Sequence, residues 1–184
     1  STNDEIDLII FTGDLTQDHT EKSYRRFVEL FSDVKSETPH FDLPVFFIPG
    51  NHDEVLLLNK YLNKQPFYSD KTIQWENWQV QLLNSKSSTP AGLVSTGELL
   101  RLKHSITQTK YQLLFMHHHP VNVGYFIDKH GLINKEEFWQ EIYLLNKDKK
   151  RGIKAIACGH VHRAMDFPAF SQGNTQCTRL LTCP

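Results

Sequence analysis

Four apolar runs that each stop abruptly in Gly, Asp, Asn or His constrain this chain most. They are Ile6–Asp14 (IDLIIFTGD), Pro44–Asp53 (PVFFIPGNHD), Tyr111–Pro120 (YQLLFMHHHP) and Ile153–His162 (IKAIACGHVH). Continuous apolar runs of roughly four to eight residues bounded by Gly and Pro mark strands buried on both faces. Between the first two, Tyr24, Phe27, Val28, Leu30, Phe31 and Val34 recur at helical spacing across Glu21–Val34, and Thr20 is placed to cap that helix. A second helical pattern, Lys135–Asn146, puts Phe138, Trp139, Ile142 and Leu145 on one face. Thr72–Asn84 alternates as one or two antiparallel strands with a turn near Glu76–Asn77, whereas residues 100–106 leave little room for a helix before the HHHP strand. Strands alternating with helices, plus an antiparallel portion, predict an α/β (α+β) fold. In open α/β sheets, ligands sit beyond the carboxyl ends of the strands. All four runs carry their polar residues at that end.

A length of 184 residues suits one domain, and 39 % apolar with 22 % charged residues suits a globular chain. Twenty basic residues against twenty-one acidic ones leave a formal charge of −1, which provides no basic footprint for nucleic acid or an anionic membrane. The longest apolar runs, such as Leu8–Phe11 and Val45–Ile48, fall far short of the ~20 residues of a membrane span. Cys158, Cys177 and Cys183 form no CxxC pair and read as reduced thiols, which points to the cytoplasm. No GxSxG elbow and no glycine-rich phosphate loop occurs.

Six of the ten histidines fall in three clusters, His52, His117–His119, and His160 with His162. Each cluster alone has an ordinary explanation. Asp14 after Gly13 suits a turn or helix cap, Asn51 and Asp53 suit a turn, and a histidine pair can be a satisfied, half-buried one. On an extended backbone His160 and His162 share a face, while His118 points to the side opposite His117 and His119. Cys158 reads as a small buried hydrophobe. Together, one carboxylate, one carboxamide and three imidazoles at the ends of buried strands form a mixed N/O donor set. Such a set suits Mn, Fe, Zn or Co rather than calcium, which takes oxygen alone.

GDLTQD, GNHD, MHHHP and GHVH, in this order, resemble the signature of the calcineurin-like metallophosphoesterases. The closer resemblance is to bacterial class III 3′,5′-cyclic AMP phosphodiesterases. It is carried by TGDLTQD (Thr12–Asp18), LPVFFIPGNHD, HHHP, IDKHGLIN (Ile127–Asn134) and ACGHVH. This resemblance implies a four-layer αββα sandwich of two mixed sheets flanked by helices. It also implies hydrolysis of 3′,5′-cyclic AMP to 5′-AMP by in-line attack of a metal-held hydroxide. The implied cofactors are two divalent or mixed-valence ions, Fe/Mn foremost, with Zn, Co or Mg as alternatives. Asp14 resembles the carboxylate bridging both ions. Asn51, His117 and His160 resemble the other ligands of the second ion, and His162 a ligand of the first. His52 resembles the catalytic histidine facing the phosphate, and Asp53 beside it is placed to hold its tautomer. The implied partner is a small cyclic nucleotide, with a homodimer as a further expectation.

The family opens with a strand ending in Asp-x-His, and no such pair precedes TGD here. We therefore expect residues 1–184 to be one metallophosphoesterase domain lacking its first strand and shortened at both termini. Two alternatives stand beside cyclic AMP hydrolysis. One is the same chemistry on another phosphodiester or phosphomonoester, such as a glycerophosphodiester or a nucleotide. The other is an interaction module that has lost its first metal. Tyr125 and Phe126 suit either a platform for a base or the packing of a lid.

Overall fold

Alternation along the strands decides which layer each side chain joins. The computed structural model describes residues 6–37, 43–106, 110–147, 152–170 and 178–183. In it, β1 (Ile9–Phe11), β2 (Val45–Phe47) and β3 (Phe67–Tyr68) form a parallel sheet in that order. A second sheet contains β4 (Thr72–Trp75), β5 (Trp78–Leu83), β6 (Tyr111–Met116), β7 (Ile153–Cys158), β8 (Met165–Phe170) and β9 (Thr178–Thr182). Its strand order is β4-β5-β6-β7-β9-β8. The two outermost pairs are antiparallel and the inner three parallel, so this sheet is mixed.

On the first sheet, Ile9, Phe11, Val45 and Phe47 pack against Tyr24, Phe27, Val28 and Phe31 of α1 (Glu21–Glu37) and Leu58 of α2 (Val55–Tyr61). The intervening Leu8, Ile10, Phe46 and Ile48 face the other sheet and meet Val80, Leu82, Leu113 and Phe115. The opposite faces of β6 and β7 turn Leu114, Met116, Ile156 and Cys158 toward α3 (Thr96–Ser105) and α4 (Lys135–Asn146). The layers are therefore helix, sheet, sheet, helix, as expected. A fully buried Leu or Phe in such a layer contributes ~1.5–3 kcal/mol.

Helix α1 begins where expected, with the Thr20 hydroxyl accepting from Ser23 N at 3.3 Å. The hairpin turn likewise falls at Glu76–Asn77, where Trp75 pairs with Trp78. Helix α3 corrects the expectation for residues 100–106, because it runs from Thr96 to Ser105. Its start is a capping signal, Ser95 followed three residues later by Glu98, with Ser95 Oγ accepting from Glu98 N at 3.2 Å. Cys158 is buried beneath the sheet end, and burial pushes its thiol pKa upward. Cys177 lies outside the described residues.

Candidate functional site

Parallel strands bring their carboxyl ends to one edge, and two glycines let the loops beyond β1 and β2 touch. A Cβ on Gly50 would stand 2.1 Å from Asp14 Oδ1, and one on Gly13 would stand 2.5 Å from His117 Nδ1. Only hydrogen fits at either place. Past Gly13, which has φ +105°, Asp14 takes the left-handed region at φ +55° and turns its carboxylate inward.

The inward groups meet at His117. Its Nδ1 lies 2.7 Å from Thr12 O, which assigns the proton to Nδ1 and leaves Nε2 as a lone pair. Around that lone pair stand Asn51 Oδ1 at 3.0 Å, His160 Nδ1 at 3.1 Å and Asp14 Oδ2 at 3.3 Å. Neighbouring donors on an ion with bonds of about 2.0–2.2 Å stand about 3 Å apart, so this quartet has the spacing of a cation's ligands. A ligating histidine ordinarily donates its other N–H to a carbonyl or carboxylate, as His117 does to Thr12. His160 Nε2 is buried without a hydrogen-bond partner among the described residues. A divalent ion fits these residues.

The other histidines part company. His117, His118 and His160 have ring nitrogens within 4.8 Å of one another. Both nitrogens of His118 are already engaged, however, Nδ1 with Ser85 Oγ at 2.9 Å and Nε2 with Pro90 O at 3.2 Å. His118 is thus a neutral packing group beside the quartet. His119 is buried, with Nε2 3.4 Å from Asp128 Oδ1 and its ring stacked on His160 at 5.7 Å between centroids. The expectation that His160 and His162 share a face of an extended segment fails. Strand β7 ends at Cys158, and both histidines are left-handed, at φ +65° and +54°. They nonetheless line one cavity, His160 buried and His162 exposed.

Asp53 also corrects an expectation. Its oxygens accept from Leu15 N at 3.1 Å, Gly50 N at 2.9 Å and Tyr24 Oη at 3.0 Å, and it is 1 % exposed. It ties the two loops together rather than orienting the His52 ring. That ring lies instead beside Gln17 Nε2, 3.3 Å from both of its nitrogens, while His52 N donates to Asp14 Oδ1 at 2.8 Å. The open cavity, of about 520 Å³, is lined by Asp14, Asn51, His52 and His160 on one side and by Tyr125, Phe126 and Arg163 on the other.

The sequence model of the calcineurin-like phosphoesterases matches residues 2–164, which hold the whole quartet. The chain belongs to the calcineurin-like phosphoesterase family. The chain is 51 % identical over 183 residues to a probable cyclic nucleotide phosphodiesterase of Colwellia psychrerythraea, covering 99 % of this chain and 66 % of that protein. It is 35 % identical over 170 residues to the 3′,5′-cyclic adenosine monophosphate phosphodiesterase CpdA of Haemophilus influenzae, covering 89 % of this chain and 57 % of that protein. It is 30 % identical over 165 residues to a probable glycerophosphodiester phosphodiesterase GpdQ of Arcobacter nitrofigilis, covering 85 % of this chain and 57 % of that protein. The chain thus spans 57–66 % of the length of these curated relatives. Among the described residues, no helix is long and apolar enough to cross a membrane.

Membership implies divalent metal ions, and the electrostatics of the site suit them. Burial works to raise the Asp14 carboxyl, but the His117 ring and the His52 N–H outweigh it and hold the pKa at about 2. Burial, reinforced by His117 and His119, pushes His160 down to about 3. The same cause, with His117 and His160 adding to it, takes His118 to about 2. The floor of the cavity thus presents the Asp14 anion and a neutral His160 imidazole at neutral pH.

Several supporting residues escaped sequence reasoning. Ser85 stands alone in a loop, and no motif announces it. Tyr24 registers only as one more apolar position of α1, although its hydroxyl joins Asp53 to Glu54 N. Asp128 lies inside IDKHGLIN and accepts from Val123 N and Gly124 N at 2.7 and 2.9 Å, an Asx-type pattern that local spacing could have revealed.

Proposed function

We propose that the phosphoesterase is a metal-dependent phosphodiesterase that hydrolyses 3′,5′-cyclic AMP to 5′-AMP. The convergence of Asn51 Oδ1, His160 Nδ1 and Asp14 Oδ2 on the His117 lone pair, at the floor of an open cavity, carries this proposal. The printed names of the Colwellia and Haemophilus relatives support the substrate. Divalent ions, when bound, would supply the positive charge that neutralises phosphoryl oxygens and acidifies water. Asn51, His117 and His160 would hold one ion with Asp14 beside them, and His162 would serve a second. Iron with manganese is the preferred pair, with Zn, Co or Mg as substitutes.

The chain's own residues then do three things. Thr12 O fixes the His117 tautomer, and Lys86 Nζ, donating to Asn51 O at 3.0 Å, holds the GNHD turn in place. Asp14 remains an anion throughout the physiological range. His52, on the cavity wall, gives a proton to O3′ as the P–O3′ bond breaks, while phosphorus gains the hydroxyl of water and the water's other proton leaves to solvent, from which His52 is reprotonated. A 5′-monophosphate results. The ligand is a small molecule, as the names of the Haemophilus and Colwellia relatives suggest. The name of the Arcobacter relative favours a second substrate class, glycerophosphodiesters, for the same chemistry.

Asn51→Ala tests the site. It should weaken metal binding and collapse cyclic AMP turnover while the circular dichroism spectrum stays that of the parent. Undiminished turnover at limiting metal would rule the quartet out.

A further inference from the structure

We infer, building on the phosphodiesterase reading above, that Phe126 is the surface on which the phosphoesterase stacks the base of its substrate, selecting nucleoside phosphates over diesters of small polyols. Phe126 is 75 % exposed, yet it lines the same cavity as Asp14, Asn51, His52, His160 and His162. An aromatic ring left in water at the lip of a polar cavity gains from any flat group laid against it.

Its neighbour Tyr125 is committed elsewhere. The Tyr125 hydroxyl donates to Val161 O, the Arg163 guanidinium lies over its ring at 5.3 Å, and its ring meets Phe126 edge-on at 5.6 Å and 71°. Tyr125 therefore buttresses the wall and Phe126 presents the free face.

The position of that face is fixed by the backbone. Phe126–His130 form one 3-10 turn, closed by Asp128 N donating to Tyr125 O at 3.0 Å. The Asp128 carboxylate gathers Val123 N and Gly124 N and stands 3.4 Å from His119, whose ring stacks on the quartet member His160. Phe126 and the phosphate-facing donors thus share one support, which sets a constant span between base and phosphate. Base–aromatic stacking tolerates any base, because every base has a π-face. A glycerol moiety has none.

The test is equilibrium binding of 5′-AMP and of ribose 5-phosphate to the full chain loaded with Mn(II), measured by calorimetry. Stacking predicts that 5′-AMP binds about tenfold tighter than ribose 5-phosphate. Phe126→Leu should reduce that advantage to near unity, and Phe126→Trp should keep it. Equal binding of both ligands by the parent, an advantage that survives Phe126→Leu, or no binding of either ligand overturns the inference. So does a change of oligomeric state in Phe126→Leu with the advantage intact, because the ring would then serve a second copy. Hydrolysis of cyclic AMP is assayed separately. A parent that shows the base advantage but cleaves no diester defeats the phosphodiesterase proposal and leaves Phe126 as a base platform.

Discussion

The floor and the rim of the cavity are built by opposite rules. On the floor, His117 and His160 are buried, and three donors of the quartet are each placed by a neighbour: Thr12 O for His117, His52 N for Asp14 and Lys86 for the Asn51 backbone. At the rim, His162 and Phe126 are exposed, and the His52 ring has Gln17 as its hydrogen-bonding neighbour. A group that must hold a cation gains from rigidity, because its lone pairs then need no reorganisation. A group that meets substrate must stay reachable by it. Floor substitutions should therefore cost stability or metal, and rim substitutions should cost rate or selectivity.

The largest effect that can break this division lies at the rim. His52→Ala should lower the turnover number by ~10²–10⁴ with metal content unchanged. The loss should shrink on a nitrophenyl phosphodiester, whose leaving group needs no proton. Elemental analysis showing lost metal would move His52 to the floor.

Next comes the brace between the loops. Asp53→Ala strands Leu15 N, Gly50 N and Tyr24 Oη. At ~1–3 kcal/mol for each orphaned group, unfolding free energy should fall by on the order of 3 kcal/mol or more. Denaturant titration reads this directly, and a shift below about 1 kcal/mol would show that water replaces the carboxylate.

Ser85→Ala is smaller. It removes the partner of both His118 Nδ1 and His118 N, at 2.9 and 3.1 Å, and should cost about 2 kcal/mol of stability with little change in Michaelis constant. A rate effect exceeding the stability effect would instead make His118 part of the reacting site.

The mildest test is acid. Burial holds His118 neutral, with its pKa lowered from 6.5 to about 2. Between those values the unfolded chain binds a proton that the folded chain refuses. Stability is therefore complete above pH 6.5 and falls as pH drops below it, by about 1.4 kcal/mol per unit for this one group. Metal-free protein melted at pH 7 and pH 5.5 should show the decline, and His118→Gln should lessen it without abolishing it, because His160 is lowered by burial as well.

Much of the floor was legible because strand ends and donor types coincide in the sequence. Asp14, Asn51, His117 and His160 could each be named from a polar residue that halts an apolar run. In the structure, alternation along β2 separates Phe46 and Phe47 into different layers. What escaped depends on contacts between residues distant in sequence. The role of Asp53 is set by Tyr24, twenty-nine positions away, and that of His118 by Ser85, thirty-three away. Helix α2, with seven residues, is too short to show a period. Helix α3 starts from the Ser95–Glu98 capping pair, which lies before residues 100–106, so that span alone does not reveal it. In GHVH, the alternation of an extended chain does not hold, because β7 ends two residues before His160.

Asp14, His160 and His162 hold positive φ without being glycine. A left-handed β-carbon-bearing residue gives up about 1 kcal/mol relative to glycine, although Asp and His tolerate the region better than most. Of the three, only His162 is exposed. A library of this chain sorted for heat resistance alone should therefore accumulate glycine at position 162, and the survivors should be sturdier and catalytically poorer than their parent. Counting alleles at that codon with and without a concurrent demand for turnover would measure how much robustness the cavity forgoes to keep an imidazole at its mouth.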